Sequence, residues 1–127
     1  MAEIERGLYG RLETLADGRV YPILPQPTTF PAIRYQRIST SRNALMDGGN
    51  GGVTEVTMQV DCMAQTYAEA KALADSVRQL LHTYRGAWGT LIARYVHLQG
   101  ENDFYEQEGD RVTHWVSQRY QVWTNAD

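Results

Sequence analysis

The segment from Val56 to Tyr84 changes its hydrophobic period once, and this change constrains the fold more than any other feature. From Val56 to Cys62, apolar residues alternate with polar ones, which is the period of a strand with one buried face. Thr66-Tyr67-Ala68-Glu69 then has the spacing of a helix capping box. Because apolar residues follow at helical intervals, the sequence predicts an amphipathic helix that ends near Gly86.

Two further segments precede this pair. Residues Ala2 to Leu15 carry apolar side chains on one helical stripe, and Asp17-Gly18 ends the pattern, so a helix is expected. Four prolines between Pro22 and Pro31 restrict the backbone and remove donors. We therefore expect Tyr21 to Phe30 to form an extended connector along a sheet edge.

Other β-favouring segments surround the glycine-rich parts of the chain. Residues Ala32 to Ser39 indicate a strand, whereas Thr40 to Gly52 contains four glycines and favours a mobile loop. Gly86-Ala87-Trp88-Gly89 is typical of a turn. Two more segments rich in β-branched and aromatic residues are predicted strands joined by a long polar hairpin, and these are Leu91 to Gln99 and Val112 to Thr124.

The order of these elements predicts an α+β fold. We expect a mainly antiparallel sheet of about four or five strands packed on two helices, with a long flexible Gly-rich loop. A chain of 127 residues with 43% hydrophobic composition can bury one core, so residues 1–127 are expected to form a single domain.

Composition disfavours several classes of protein. The net charge of −3 gives no concentrated basic face for a phosphate backbone. The chain has no classical export signal and no run of about 18 apolar residues, so no membrane span is expected. Its one cysteine, Cys62, lies in the alternating strand and is expected to be a buried hydrophobe in a reducing compartment.

Candidate catalytic or metal-ligating groups are scattered. His82, His97 and His114 fall in three different elements, and none has metal-site spacing. The run Gly48 to Gly52 lacks the Lys-Ser/Thr pair of a phosphate-binding loop. Neither a metal nor a nucleotide cofactor is expected.

Three side-chain groups leave functional alternatives open. The acidic residues between the last two strands are expected to form a solvated hairpin, although a small hydrolase could use them as acids or bases. An arginine group with Tyr35 could bind single-stranded nucleic acid. Each of the three tryptophans is expected in the core by default. The groups are Glu101, Asp103, Glu106, Glu108 and Asp110; Arg34, Arg37 and Arg42; and Trp88, Trp115 and Trp123.

Five motifs, in their order and spacing, carry a family resemblance: Arg19 to Pro22, Leu24 to Gln26, Pro31 to Ser39, Asp61 to Ala70, and Asp103-Phe104-Tyr105-Glu106. With these motifs the chain resembles the tail-completion (tail-terminator) proteins of long-tailed bacteriophages and prophages, formerly a family of unknown function. The resemblance implies that the acidic aromatic motif turns between the last strands. The final strand, Ser117 to Trp123, departs from the acidic and aromatic pattern of similar members.

The resemblance implies a structural virion protein and no enzyme. Six copies would form a ring at the head-proximal end of the tail tube, assembled in the host cytoplasm and located in the neck. The implied partners are further copies of the chain, the tail tube protein and the head-tail connector, with DNA only as cargo and with no cofactor. The alternative role in the virion is a head-completion, adaptor or minor tail protein.

A ring requires two complementary patches on each subunit. We expect the Ser41 to Gly52 loop to reach a neighbour or an axial partner, and the acidic aromatic motif to take part in assembly contacts. The candidate assembly residues are Arg42, Asn43, Leu45, Met46, Asp47, Asn50, Asp103, Phe104, Tyr105 and Glu106. The acidic balance further suggests a channel to which DNA does not adhere.

Overall fold

The computed structural model describes the backbone of residues 3–44 and 50–125, and side chains for residues 3–41 and 53–125. Two α-helices, a short 3-10 helix and six strands occur in these residues. The helices are α1 (Glu3–Leu12) and α2 (Tyr67–Leu81), and the 3-10 helix is Ala16–Gly18. The strands are β1 (Val20–Tyr21), β2 (Ala32–Ala44), β3 (Asn50–Ala64), β4 (Gly86–Trp88), β5 (Leu91–Glu108) and β6 (Arg111–Asn125).

The six strands form one mixed sheet in the order β1-β2-β3-β6-β5-β4. The short edge strand β1 pairs with β2 in parallel, and all other neighbours are antiparallel. The α+β class is therefore confirmed. The expected four or five strands are too few, because two- and three-residue edge strands give too short a pattern to recognise.

Helix α2 covers one face of the sheet. Thr66 caps it by accepting a hydrogen bond from the Glu69 backbone N–H at 3.2 Å, as the capping-box spacing predicted. Its buried stripe meets the alternate residues of β3 that run from Val56 to Ala64, all of which are buried. The strand and helix predicted from the change of period are confirmed.

Helix α1 packs on α2 and on the β4 end of the same face. Trp88 is fully buried there, and its indole Nε1–H donates to the Ile4 carbonyl oxygen at 2.9 Å. Gly7 lies directly against the indole, where any Cβ would overlap it. The glycine that weakens the helical pattern thus has a packing role.

Both helices end earlier than their patterns suggest. Helix α1 stops at Leu12 instead of Leu15, and the short 3-10 helix follows. Helix α2 stops at Leu81 because Thr83 adopts a φ of 65° and donates its backbone N–H to Val96 in β5. Tyr84 therefore lies beyond the helix, although it still packs against the core.

Two expected loops are largely strand. Residues Thr40–Ala44 continue β2, and Asn50–Gly52 begin β3. The pairing between the two strands continues as far as Ala44, which lies opposite Asn50. Residues 45–49 lie outside the described part of the chain. Likewise, β5 and β6 pair continuously to Glu108 and Arg111, so the long polar hairpin has a tight turn at Gly109–Asp110.

The glycine and proline segments also differ from expectation. Gly86–Trp88 is an edge strand instead of a turn, since it pairs with Leu91–Ala93. The prolines do follow β1 at a sheet edge, but the connector then leaves that edge. Leu24 and Phe30 line a cleft together with Met63 of β3, on the face of the sheet opposite the helices.

No helix in the described residues is long and apolar enough to cross a membrane.

Candidate assembly surface

The sheet face opposite the helices, here called the open face, is covered by neither helix. Alternation along β6 places Trp115, Ser117, Arg119, Gln121 and Trp123 on it, while the intervening residues are buried against the helices. Part of this face is a shallow pocket of about 280 Å³ lined by Gln99, Gly100, Asn102, Ser117 and Arg119. Along β6, the open face is polar in the middle and aromatic towards both ends.

Charges on the open face are mixed. The register places four carboxylates and three guanidinium groups there, and these are Glu55, Asp61, Glu106 and Glu108 against Arg34, Arg111 and Arg119. Asp61 is only 2% exposed, and Arg34 binds it through two N–H groups at 2.7 and 3.0 Å. A buried carboxylate held in this way is a structural ion pair. The face therefore has no concentrated positive charge.

The end of the β5–β6 hairpin forms a projection, here called the acidic arm, from Gly100 to Trp115. Every residue from Gln99 to Arg111 is exposed. Strand β3 pairs with β6 only as far as His114, so the arm's tip extends past the neighbouring strands. Paired backbone gives this arm a defined shape, which a solvated loop would lack.

Asp103 fastens the arm to helix α2. Its carboxylate accepts hydrogen bonds from the Tyr67 hydroxyl at 3.0 Å and from the Lys71 ammonium at 3.3 Å. Desolvation disfavours the charged Lys71, but the hydrogen bond to Asp103 and the charge of Glu101 outweigh it and raise the Lys71 pKa. These contacts set the angle between the arm and the helix layer.

Aromatic side chains cover both faces of the arm. On the open face, Phe104 stacks on Trp115 with ring centroids 5.4 Å apart, and 47% of Phe104 is exposed. On the helix side, Tyr105 lies 5.2 Å from the His114 ring and is 59% exposed. Exposed aromatic groups with polar edges are typical of protein interfaces.

The proline connector supports the arm from the open face. The Arg111 guanidinium donates to the Thr28 carbonyl oxygen at 2.8 Å and lies 4.8 Å from the centre of the Phe30 ring. Glu106 lines the cleft between the arm and the connector. The connector thus braces the hairpin instead of spanning two distant elements.

The structure separates the residues predicted for assembly into two regions. Asp103, Phe104, Tyr105 and Glu106 alternate between the two faces of β5, so they form no turn between strands. Arg42, Asn43 and Asn50 belong to the β2–β3 hairpin at the other end of the sheet. Leu45, Met46 and Asp47 lie outside the described residues. Contact by any of these residues with a partner stays a prediction.

Two chemical alternatives lose their geometric basis. Arg34 and Arg37 do not form one strip, because Arg34 binds Asp61 on the open face and Arg37 binds Glu5 of α1 on the other face. The acidic residues are spread along both faces of the arm, and Lys71 pairs with Asp103 and Glu101. Within the described residues, no group of three His, Cys, Asp or Glu side chains could hold a metal ion.

Sequence reasoning missed the aromatic surface of the open face. Trp88 is in the core as expected, but Trp115 and Trp123 are only partly buried on the open face. Trp123 packs 6.0 Å from Tyr95 of β5. The signal was available in the alternation along β6, where both tryptophans share a face with Ser117, Arg119 and Gln121.

Comparison with known proteins identifies the family. The profile described as "Tail completion protein gp17" matches residues 9–125. The chain belongs to this family of tail-completion proteins. It is accordingly a structural protein of the phage tail.

The fold also matches a solved virion structure. A chain from the "Virion of native gene transfer agent (GTA) particle" aligns with a TM-score of 0.59 and 17% identity. The alignment covers 94% of this chain and 92% of that chain, so the fold is shared over nearly the whole length of both. No curated protein matches the sequence.

Proposed function

We propose that this tail-completion protein is the tail terminator, six copies of which form a ring at the head-proximal end of the tail tube. The ring stops tube growth and presents a surface to the head-tail connector. Each subunit contributes residues 1–127 as one domain. Its location is therefore the neck of the virion, after assembly in the host cytoplasm.

The observation that carries this proposal is the position of the two long hairpins. The β3–β6 register runs from Val53 opposite Asn125 to Ala64 opposite His114. The β2–β3 hairpin closes beyond the first pair, and the acidic arm closes beyond the second. A subunit with different projections at opposite ends has the two unlike patches that a head-to-tail ring requires.

The surface character of the sheet supports an orientation within the ring. We place the open face towards the channel and the helices outwards. A basic wall would attract DNA phosphates strongly. The mixed charge of Glu55, Glu106 and Arg119, with serine, threonine and glutamine between them, avoids that attraction. DNA then passes as cargo and is not a bound ligand.

The direct test compares particles assembled with and without the gene, by electron microscopy of tail length. The proposal predicts overlong, irregular tube polymers in its absence, and tails of normal length when the gene is restored. Tails of normal length that fail to join heads would contradict it and would assign the protein to head completion.

A further inference from the structure

The acidic arm leaves one strand edge without a partner. On the side of β5 away from β6, β4 pairs with Leu91–Ala93, and the chain after α2 bonds to Val96 and Leu98. From Gly100 to Glu108, no backbone hydrogen bond points outward to any other described part of the chain. In this nine-residue stretch, alternate residues therefore direct their N–H and C=O groups away from β6, where no described strand pairs with them.

The opposite margin of the sheet has a matching gap. On the side of β2 away from β3, β1 pairs only with Ile33 and Arg34. From Gln36 to Ala44, no described strand lies outside β2. This free edge is also nine residues long. Uncovered edges of this length are a liability in a free subunit and serve as templates for pairing with another chain.

We propose that the two free edges pair with each other between neighbouring copies, so that the β5 edge of one subunit extends into the β2 edge of the next. This inference deepens the proposed ring, on which it rests. It names the contact that closes the ring, and its partner is a second copy of this chain.

Charge complementarity favours this partner. Gly100–Glu108 contains four acidic residues and no basic ones, and the free edge Gln36–Ala44 contains no acidic residues and two arginines, Arg37, which also binds Glu5 of α1, and Arg42. Opposite charges on paired strands stabilise the contact, while like charges directly opposite each other destabilise it. A second β5 edge or a second β2 edge therefore makes a poorer partner than the unlike edge.

Strand direction also fits. Three antiparallel pairings separate β2 from β5, so these two strands run in opposite directions. When all subunits keep their helices on the same side, β5 of one copy meets β2 of the next in antiparallel pairing. That arrangement continues the sheet from subunit to subunit with its helix layer outside.

The free stretches lie at different heights in the sheet. Phe104, in the middle of the free stretch of β5, pairs with Trp115 of β6. Ser41 of β2 pairs with Glu55 of β3, which in turn pairs with Trp123 of β6. The copies are therefore offset by eight residues, roughly 27 Å along the strands. The offset brings Phe104 opposite Ser41, and Glu106 opposite Ser39, of the next copy.

This offset leaves room for the short edge strands and gives the ring its strand tilt. Strand β1 then lies beyond the tip of the neighbour's β5, and β4 lies beyond the paired part of the neighbour's β2. With subunits on one level, an offset along the strands requires the strands to tilt relative to the ring axis, as in closed barrels.

Cysteine cross-linking in assembled tails tests the contact. Ser39→Cys is combined in turn with Phe104→Cys, Glu106→Cys or Glu108→Cys, three positions on the same face of β5. Directly opposed residues lie within disulfide distance, so at least one combination should give a ladder of cross-linked species up to six chains under oxidation. The natural Cys62 is fully buried and does not interfere.

The matched control combines Ser39→Cys with Ser117→Cys, which lies on the same face but in a central strand. It should remain monomeric on a non-reducing gel. Monomers from all three edge combinations in tails of normal length would overturn the edge pairing and leave the terminator function standing. Overlong tails in the absence of the gene test that function separately.

Hydrogen exchange of the wild-type protein covers the case in which the cysteine variants fail to assemble. Amides of Gly100–Glu108 and of Gln36–Ser41 should both become protected when free subunits enter tails. Protection of only one stretch, or of neither, would overturn the proposal.

Discussion

At the residue scale, two glycines one turn apart in α1 differ in their packing. Gly7 faces the buried Trp88 indole, whereas a Cβ added at Gly10 would meet nothing within 4 Å. The helical pattern treats both glycines as equally unfavourable. Only the tertiary contact distinguishes the one that the fold requires from the one that it tolerates.

Replacement of Gly7 by alanine should therefore destabilise the protein. The added methyl group forces Trp88 away from Ile4, and overpacking of this kind costs about 1–3 kcal/mol. The matched variant Gly10→Ala should be neutral or stabilising by up to about 1 kcal/mol, because alanine favours a helix. Urea unfolding of both variants measures the difference, and equal effects would contradict this packing.

Cys62 makes a second prediction at this scale. Burial, with smaller effects from the charges of Asp61 and Glu101, raises the pKa of its thiol well above the ordinary value of 9.0. The unfolded chain then loses this proton at lower pH than the folded one. The resulting stability is fully present below pH 9 and is lost as pH rises.

The free energy of unfolding should thus fall with pH above 9, with a slope that approaches about 1.4 kcal/mol per pH unit. Cys62→Ala lowers overall stability by leaving a cavity, but it should remove this slope between pH 9 and pH 10. Unfolding in urea at a series of pH values gives both slopes. An unchanged slope in the variant would show that other groups cause the alkaline loss.

At the scale of elements, a helix or strand could be predicted from the sequence where the side chains on one of its faces are buried. The sequence predicted α2 and the middle of β3 because each has a continuous buried stripe. It missed Gly100–Glu108 as a strand because all nine residues are exposed, and their extended conformation comes from pairing with β6. The same reason explains Thr40–Ala44, where pairing with β3 overrides the local polar sequence.

The brace between the connector and the arm can be tested by Arg111→Ala. This change removes the hydrogen bond to Thr28 and the contact with Phe30, so amide exchange should accelerate in residues 22–31. Arg94→Ala, at an exposed position of the same hairpin, is the control and should leave exchange there unchanged. Equal exchange in both variants would mean that the connector is held by other contacts.

The exposed aromatic pair of the arm gives a functional prediction. Phe104→Ala should change stability little, because nearly half of the side chain is already exposed, but it should lower the yield of infectious particles at least several-fold. Ile92→Ala removes a side chain that is 58% exposed at the other end of β5 and should have little effect. Plaque titres after complementation compare the two, and full activity of Phe104→Ala would exclude this surface from assembly.

At the scale of the whole molecule, one face of the sheet is covered by the helices and the other, polar face is open. The sequence indicated this division through its single-face burial patterns, and the five motifs indicated the family. The strand order and the opposite directions of the two hairpins could not be predicted, because they depend on pairing between β3 and β6, about 60 residues apart in sequence.

The most direct test of the account is a cryogenic electron microscopy map of the head-proximal end of the tail. We predict a single ring of six copies between the tube and the connector, with open faces towards the channel and helices outside. A map with this protein repeated along the tube, located at the other end of the tail, or placed with its helices lining the channel would contradict it.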